Sequence, residues 1–169
     1  MKKTLLILTA LAFAGSSAHA KKFVFPDADN PLFNLTIPNT WEPEKDDDGT
    51  LEATSPEGNI YLAAWELKDK TDIANVDKDI MDLLKDHAKK IKMDGEGVKA
   101  KPGGMDGLLF KGTAKDKEDD SDIEFFALLI SPKPGKVSII FIEAAADTPK
   151  EESDKLQKIL ESIKPAKDE

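Results

Sequence analysis

Asp116, Glu118, Asp120 and Asp122 alternate along one short stretch, the spacing at which a calcium loop presents its first oxygen ligands. Such a loop also needs a Gly at its sharp turn and a bidentate Glu at its end. Ser121 and Ala127 stand at those two positions. Together with Asp119 these acids read more simply as a solvated hairpin tip, and as the loop that a basic partner surface would meet. Asp46-Asp47-Asp48 is a second acidic loop and a further candidate site.

Other chemistry is thinly supplied. A conventional zinc site takes three or four His or Cys ligands, and the chain has no Cys and only His19 and His87. His87 falls between Leu84 and Ile91 on the apolar side of a helical wheel. It reads as a core-boundary residue rather than a base or ligand. No Ser sits in a Gly-x-Ser-x-Gly elbow. Gly103-Gly104 and Gly107 lack the Gly-Lys-Ser/Thr of a phosphate loop and read as a turn entering a strand. Paired carboxylates could hydrolyse a bond, but acids are too many for the sequence to choose two. Trp41, Tyr61 and Trp65 could line a ligand pocket, although aromatic residues in a small domain more often pack its core. No catalytic, cofactor-binding or metal set is assigned, and the chain is expected not to be an enzyme.

The elements that would position these residues are legible from periodicity. Phe33, Leu35 and Ile37 alternate with Asn34 and Thr36, the mark of a half-buried strand. Leu51 to Ser55 and Ile60 to Leu67 flank a Pro56-Glu57-Gly58-Asn59 turn. A short strand is expected at Val98 and a longer one from Leu108 to Ala114. Ile123 to Ile130 and Val137 to Ala144 are apolar on both faces, so both faces must be covered. Their short connection demands antiparallel pairing. One helix is predicted from Asn75 to Met93, with Gly95 beyond it. A second follows Thr148-Pro149-Lys150-Glu151, read as a capping hydroxyl, a proline at the first helical position and an acid in the first turn. Leu156, Ile159, Leu160 and Ile163 form its stripe. These elements predict an α+β fold: a three-layer α/β/α sandwich with a central, mainly antiparallel sheet and a helix on each face.

The amino terminus reads as a leader. Lys2 and Lys3 precede the apolar run Leu5 to Ala14, and Ala18-His19-Ala20 offers the small residues of a cleavage site. The run is about half the roughly 20 residues a spanning helix needs, and no later stretch suits a membrane. The expected organisation is a signal peptide at 1–20, an extended lead-in at 21–30, one domain at 31–165 and a tail at 166–169. Removing the leader takes the formal net charge from −9 to −11, and every basic residue is Lys; there is no Arg. Without Arg or a basic patch, nucleic acid is excluded as a partner. Export permits disulfides, but without Cys stability rests on core packing, which a chain of this length can supply.

Phe33-Asn34-Leu35-Thr36-Ile37-Pro38-Asn39-Thr40-Trp41, the hairpin at Ser55-Pro56-Glu57-Gly58 and the closing Leu160-Glu161-Ser162-Ile163 together resemble the PsbP-like and DcrB-like proteins. The resemblance runs from about Phe33 to Lys164 and implies the same α/β/α sandwich. It also implies non-enzymatic work, as in extrinsic photosystem subunits and envelope proteins. Many DcrB-like proteins are lipoproteins, and a chain without Cys departs from that. The expected function is therefore a periplasmic or secreted envelope protein that binds or helps assemble a protein with a basic surface. The alternative is a carrier of a small ligand or of calcium, and a carboxylate hydrolase ranks last.

Overall fold

Alternation decides the centre of the fold. In the computed structural model, which describes residues 20–47, 49–68, 73, 80–81, 84–85 and 88–166, the longest strands are β8 (Asp106–Asp116), β9 (Asp122–Lys133) and β10 (Lys136–Ala145). They form an antiparallel meander in which Phe110 stands opposite Ala127 and Ala127 opposite Phe141. Leu128 and Ile130 join Ile140 and Ile142 in a first core; Phe125, Ala127 and Leu129 join Val137, Ile139 and Phe141 in a second. The expectation that these strands are covered on both faces is met, with the same residues on each face. Each fully buried Leu, Ile or Phe there contributes about 1.5–3 kcal/mol.

The remaining strands are β1 (Ala20–Phe25), β2 (Phe33–Pro38), β3 (Glu44–Lys45), β4 (Leu51–Thr54), β5 (Ile60–Glu66), β6 (Ala88–Met93), β7 (Val98–Ala100) and β11 (Lys164–Pro165), with helix α1 at Lys150–Glu161. The main sheet runs β3-β4-β5-β10-β9-β8-β6, with β7 also paired to β8, and a separate small sheet runs β1-β2-β11. The three-layer α/β/α prediction is thereby overturned. The protein is mainly β: among the described residues α1 is the one α-helix with defined bounds, and Ile80, Met81, Leu84 and Lys85 are the only other α-helical positions. The first core is closed by the small sheet, through Phe25, Phe33, Leu35 and Ile37, together with Ile159 and Ile163 at α1. A face that must be covered does not specify a helix as its cover, and here a second sheet supplies most of it.

The predicted Asn75–Met93 helix fails at its carboxyl end for a reason that parity explains. Leu84, Ala88 and Ile91 share a helical face, yet Ala88–Met93 is an edge strand on β8. Lys90 takes a positive φ of 55°, and the register shifts between Lys89 and Lys92. A bulge inserts one residue and restores the facing of those after it. Ala88, Ile91 and Met93 therefore all reach the second core, where Ile80 and Leu84 also lie buried.

Two smaller expectations also change. The stretch 21–30, read as an extended lead-in, belongs to β1 over its first half, with Phe23 opposite Leu35 and Phe25 opposite Phe33. Thr148 does not cap α1: its hydroxyl donates to the Ala145 carbonyl at 2.6 Å, and Pro149 takes the cap position. The first turn of α1 is anchored instead by Glu152. This buried carboxylate accepts from the Ser55 hydroxyl at 2.8 Å, and Ser55 Oγ accepts from the Ile60 N–H at 3.1 Å.

Candidate functional site

The acidic loop is the β8–β9 turn, and its carboxylates are already engaged. Asp116 Oδ1 accepts from the Glu118 and Asp119 N–H groups at 2.6 and 3.2 Å. Asp119 Oδ1 accepts from the Ser121 N–H at 2.9 Å. Asp120, at a positive φ of 63°, pairs with Lys89 at 3.3 Å, and Asp122 pairs with Lys115 at 2.9 Å. The Lys89 ammonium holds the Asp120 carboxyl below the usual carboxylate range, and the Ser121 hydroxyl and N–H do the same for Asp119. Asp122 in turn raises the Lys115 ammonium. Acids committed to backbone N–H groups and lysines do not converge on a cation. Among the described residues no three acids or histidines gather into a metal-holding group. Of the loop's acids, Glu118 is exposed.

The other sequence candidates scatter. Asp46 and Asp47 lie in the turn between β3 and β4, where the Asp46 N–H donates to the Thr50 carbonyl; Asp48 lies outside the described residues, as do His87 and Ala18. Ala20 opens β1 opposite Pro38. The two tryptophans fall in different cores. Trp41 is fully buried in the first core, and Trp65 packs on Phe141 at 6.5 Å beside the second. The Tyr61 hydroxyl donates to Glu52 at 2.8 Å; burial first, and then Glu52, push the phenol well above its ordinary pKa.

What the sequence did not reveal is a groove of about 600 Å³ between α1 and the main sheet. Leu109, Phe126, Leu128 and Ile142 line its floor, and Leu156 and Leu160 line the helical wall. Leu156 and Leu160 were expected to join Ile159 and Ile163 in one stripe. They do pack against the same core as the two buried isoleucines, but stay half-buried at the groove. A 3-10 turn at Pro102–Gly104 forms the far wall. Its Gly103 has φ 58°, and a Cβ there would lie 2.4 Å from the Ile163 carbonyl oxygen, so only glycine lets the turn close onto the chain leaving α1. Glu161 is the one carboxylate on the lining and accepts from the Gln157 side chain at 2.7 Å. The groove thus offers apolar contact and no carboxylate pair.

No protein-family model matches the chain, and no curated protein matches it at a significant level. The PsbP-like and DcrB-like resemblance is accordingly not raised to membership. Solved structures do share the fold. The Ran-binding protein Mog1p of Saccharomyces cerevisiae is 14% identical with a TM-score of 0.55, over 87% of this chain and 95% of that one. LpqN of Mycobacterium tuberculosis, involved in cell envelope biogenesis, is 17% identical with a TM-score of 0.51, over 88% of this chain and 92% of that one. A Bacteroides thetaiotaomicron protein is 14% identical with a TM-score of 0.56, over 88% of this chain. This chain spans about half of that protein's length, 49%. At such identities the likeness is one of fold, and fold hosts many functions.

Proposed function

We propose that this chain is an exported, non-enzymatic envelope protein, periplasmic or secreted, that binds another protein through the groove beside α1. The observation that carries the reading is the half-buried apolar wall of Leu156 and Leu160 facing Leu109 and Phe126. A groove of this form suits the helix-in-groove mode, in which a partner lays apolar anchors into it at helical spacing. The occupant is an amphipathic segment with apolar anchors and basic flanks, because a net charge of −11 after leader removal favours encounter with a positive surface. Two solved neighbours lend support: one is described as Ran-binding and the other as involved in cell envelope biogenesis. Among the described residues, no helix is long and apolar enough to cross a membrane.

The test is photo-crosslinking in the native envelope from position 157 at the groove rim and, as control, from Thr113 on the opposite part of β8. The reading expects one discrete protein adduct from 157, none from 113, and loss of the adduct in Leu160→Glu. It also expects the exported chain to begin at Lys21 by intact mass. Equal adducts from both positions, or an adduct indifferent to Leu160→Glu in a folded variant, would overturn it. The groove's volume also favours a second reading, a carrier of a small apolar ligand, since such sites span about 300–1,000 Å³. That reading expects a bound apolar molecule in native mass spectra and no protein adduct.

A further inference from the structure

A second concavity, of about 940 Å³, lies on the outer face of the small sheet, away from the groove's apolar lining. Register fixes what faces it. Lys22 on β1 stands opposite Thr36 on β2, and Lys164 on β11 stands opposite Asn34. Alternate residues share a face, so these four point outward while Phe23, Phe33 and Leu35 point into the core. Lys133, from the end of β9, lines the same hollow, and among the described residues Asp29 is the one carboxylate on its lining. Lys22 and Lys164 flank the same strand on one face, roughly 12 Å apart by ordinary strand spacings. Two flexible four-carbon stems close that gap over a shared ligand.

The charge in this hollow runs against the rest of the molecule. The chain has 33 acids and 24 lysines, yet among the described residues of this hollow the ammonium groups of Lys22 and Lys164 face the single carboxylate of Asp29. Lys22 and Lys164 form no ion pair with any described residue, whereas Lys89, Lys101, Lys115, Lys136 and Lys155 all do. The Asn34 amide and Thr36 hydroxyl add neutral donors between the two lysines. Ammonium groups act on phosphate as movable point charges, and hydroxyl and amide donors complete its oxygen shell.

We infer that the outer face of the β1-β2-β11 sheet is an anion site for a phosphate group, borne either by a soluble ester or by a lipid headgroup. The inference is independent of the groove: it rests on other residues and on the opposite charge.

The test is NMR titration of the full exported chain at physiological salt, where charges more than about 8 Å away are largely screened. One arm uses inorganic phosphate with chloride at matched ionic strength. The other uses phosphatidylcholine vesicles with and without phosphatidic acid, read by sedimentation. The expected result is a saturable shift of the Val24, Asn34, Thr36 and Lys164 amides. Binding should be roughly tenfold weaker or worse in Lys22→Gln with Lys164→Gln, since contacts to charged groups are among the stronger hydrogen bonds. A response to inorganic phosphate assigns a soluble ester; a response only to phosphatidic acid, lost in the double variant, assigns the headgroup. Silence in both arms, equal shifts with chloride, or a double variant that binds as well as the parent overturns the site.

Discussion

The β8–β9 tip and the outer face of the small sheet carry opposite charges, but the more telling difference lies in how those charges are engaged. At the tip, Asp116, Asp119, Asp120 and Asp122 hold backbone N–H groups or meet Lys89 and Lys115. On the small sheet, Lys22 and Lys164 stand on one face with Asn34 and Thr36, with no ion-paired carboxylate among the described residues. Abundance drew attention to the tip in the sequence, yet a charge already matched has little left to offer a ligand. Charge brought together in the fold, without an ion partner among the described residues, is the stronger pointer.

The largest expected effect separates the two regions through the backbone. Gly103 abuts Ile163 and Lys164, the segment that feeds the small-sheet concavity, and is remote in the fold from the tip. Gly103→Ala should destabilise by about 3 kcal/mol, combining left-handed strain with a backbone clash. Gly104, at φ 90° but with nothing within 4 Å of a Cβ, should lose only about 1 kcal/mol on the same change. Chemical denaturation measures both, and amide shifts should spread from residue 103 to β11 while the tip stays still. Equal losses at the two glycines would show that the close approach carries no weight.

The contrast also marks what was legible in the sequence. The antiparallel meander could be read because Phe125, Ala127 and Leu129 alternate with Phe126, Leu128 and Ile130 over a long, uninterrupted run. Helix α1 could be read from its stripe and its proline start. The end of the supposed first helix could not, because a bulge at Lys90 makes Ala88, Ile91 and Met93 satisfy a helical period and a strand at once. The small sheet was half visible: β2 alternates cleanly, but β1 and the two-residue β11 become strands only by pairing with it. The acidic tip was local in sequence and was found. The groove and the lysine face are assembled from distant segments, and no spacing rule joins Lys22, Lys133 and Lys164.

A smaller effect is expected at the tip itself. Asp116 Oδ1 receives two N–H groups, so Asp116→Ala should cost about 1 kcal/mol, the scale of a lost local cap. Asp116→Asn keeps the accepting oxygen and should be close to neutral. Hydrogen exchange at Glu118 and Asp119 would speed in the alanine variant and leave Thr36 and Asn34 untouched. If the two variants behave alike, the turn is held by its backbone and the charge pairing at the tip is incidental.

The smallest effect is a titration, and it asks whether the tip's charges are matched as firmly as the geometry states. Lys89 holds Asp120 below the ordinary carboxylate range chiefly through a side-chain hydrogen bond, and Ser121 does the same for Asp119. Folding lowers both pKa values, so their contribution to stability is present above the unfolded carboxyl range, near pH 4, and fades as the pH falls through the lowered midpoints. Both carboxylates face water, so salt weakens the Lys89 pairing in particular. In Lys89→Gln the Asp120 midpoint should rise toward the ordinary range, while Asp119, held mainly by Ser121, should move much less. Carboxyl-carbon NMR across an acid titration resolves the two. A common rise at both positions would mean that a shared lysine field governs the tip, and that its acids are no more individually committed than the lysines of the small sheet.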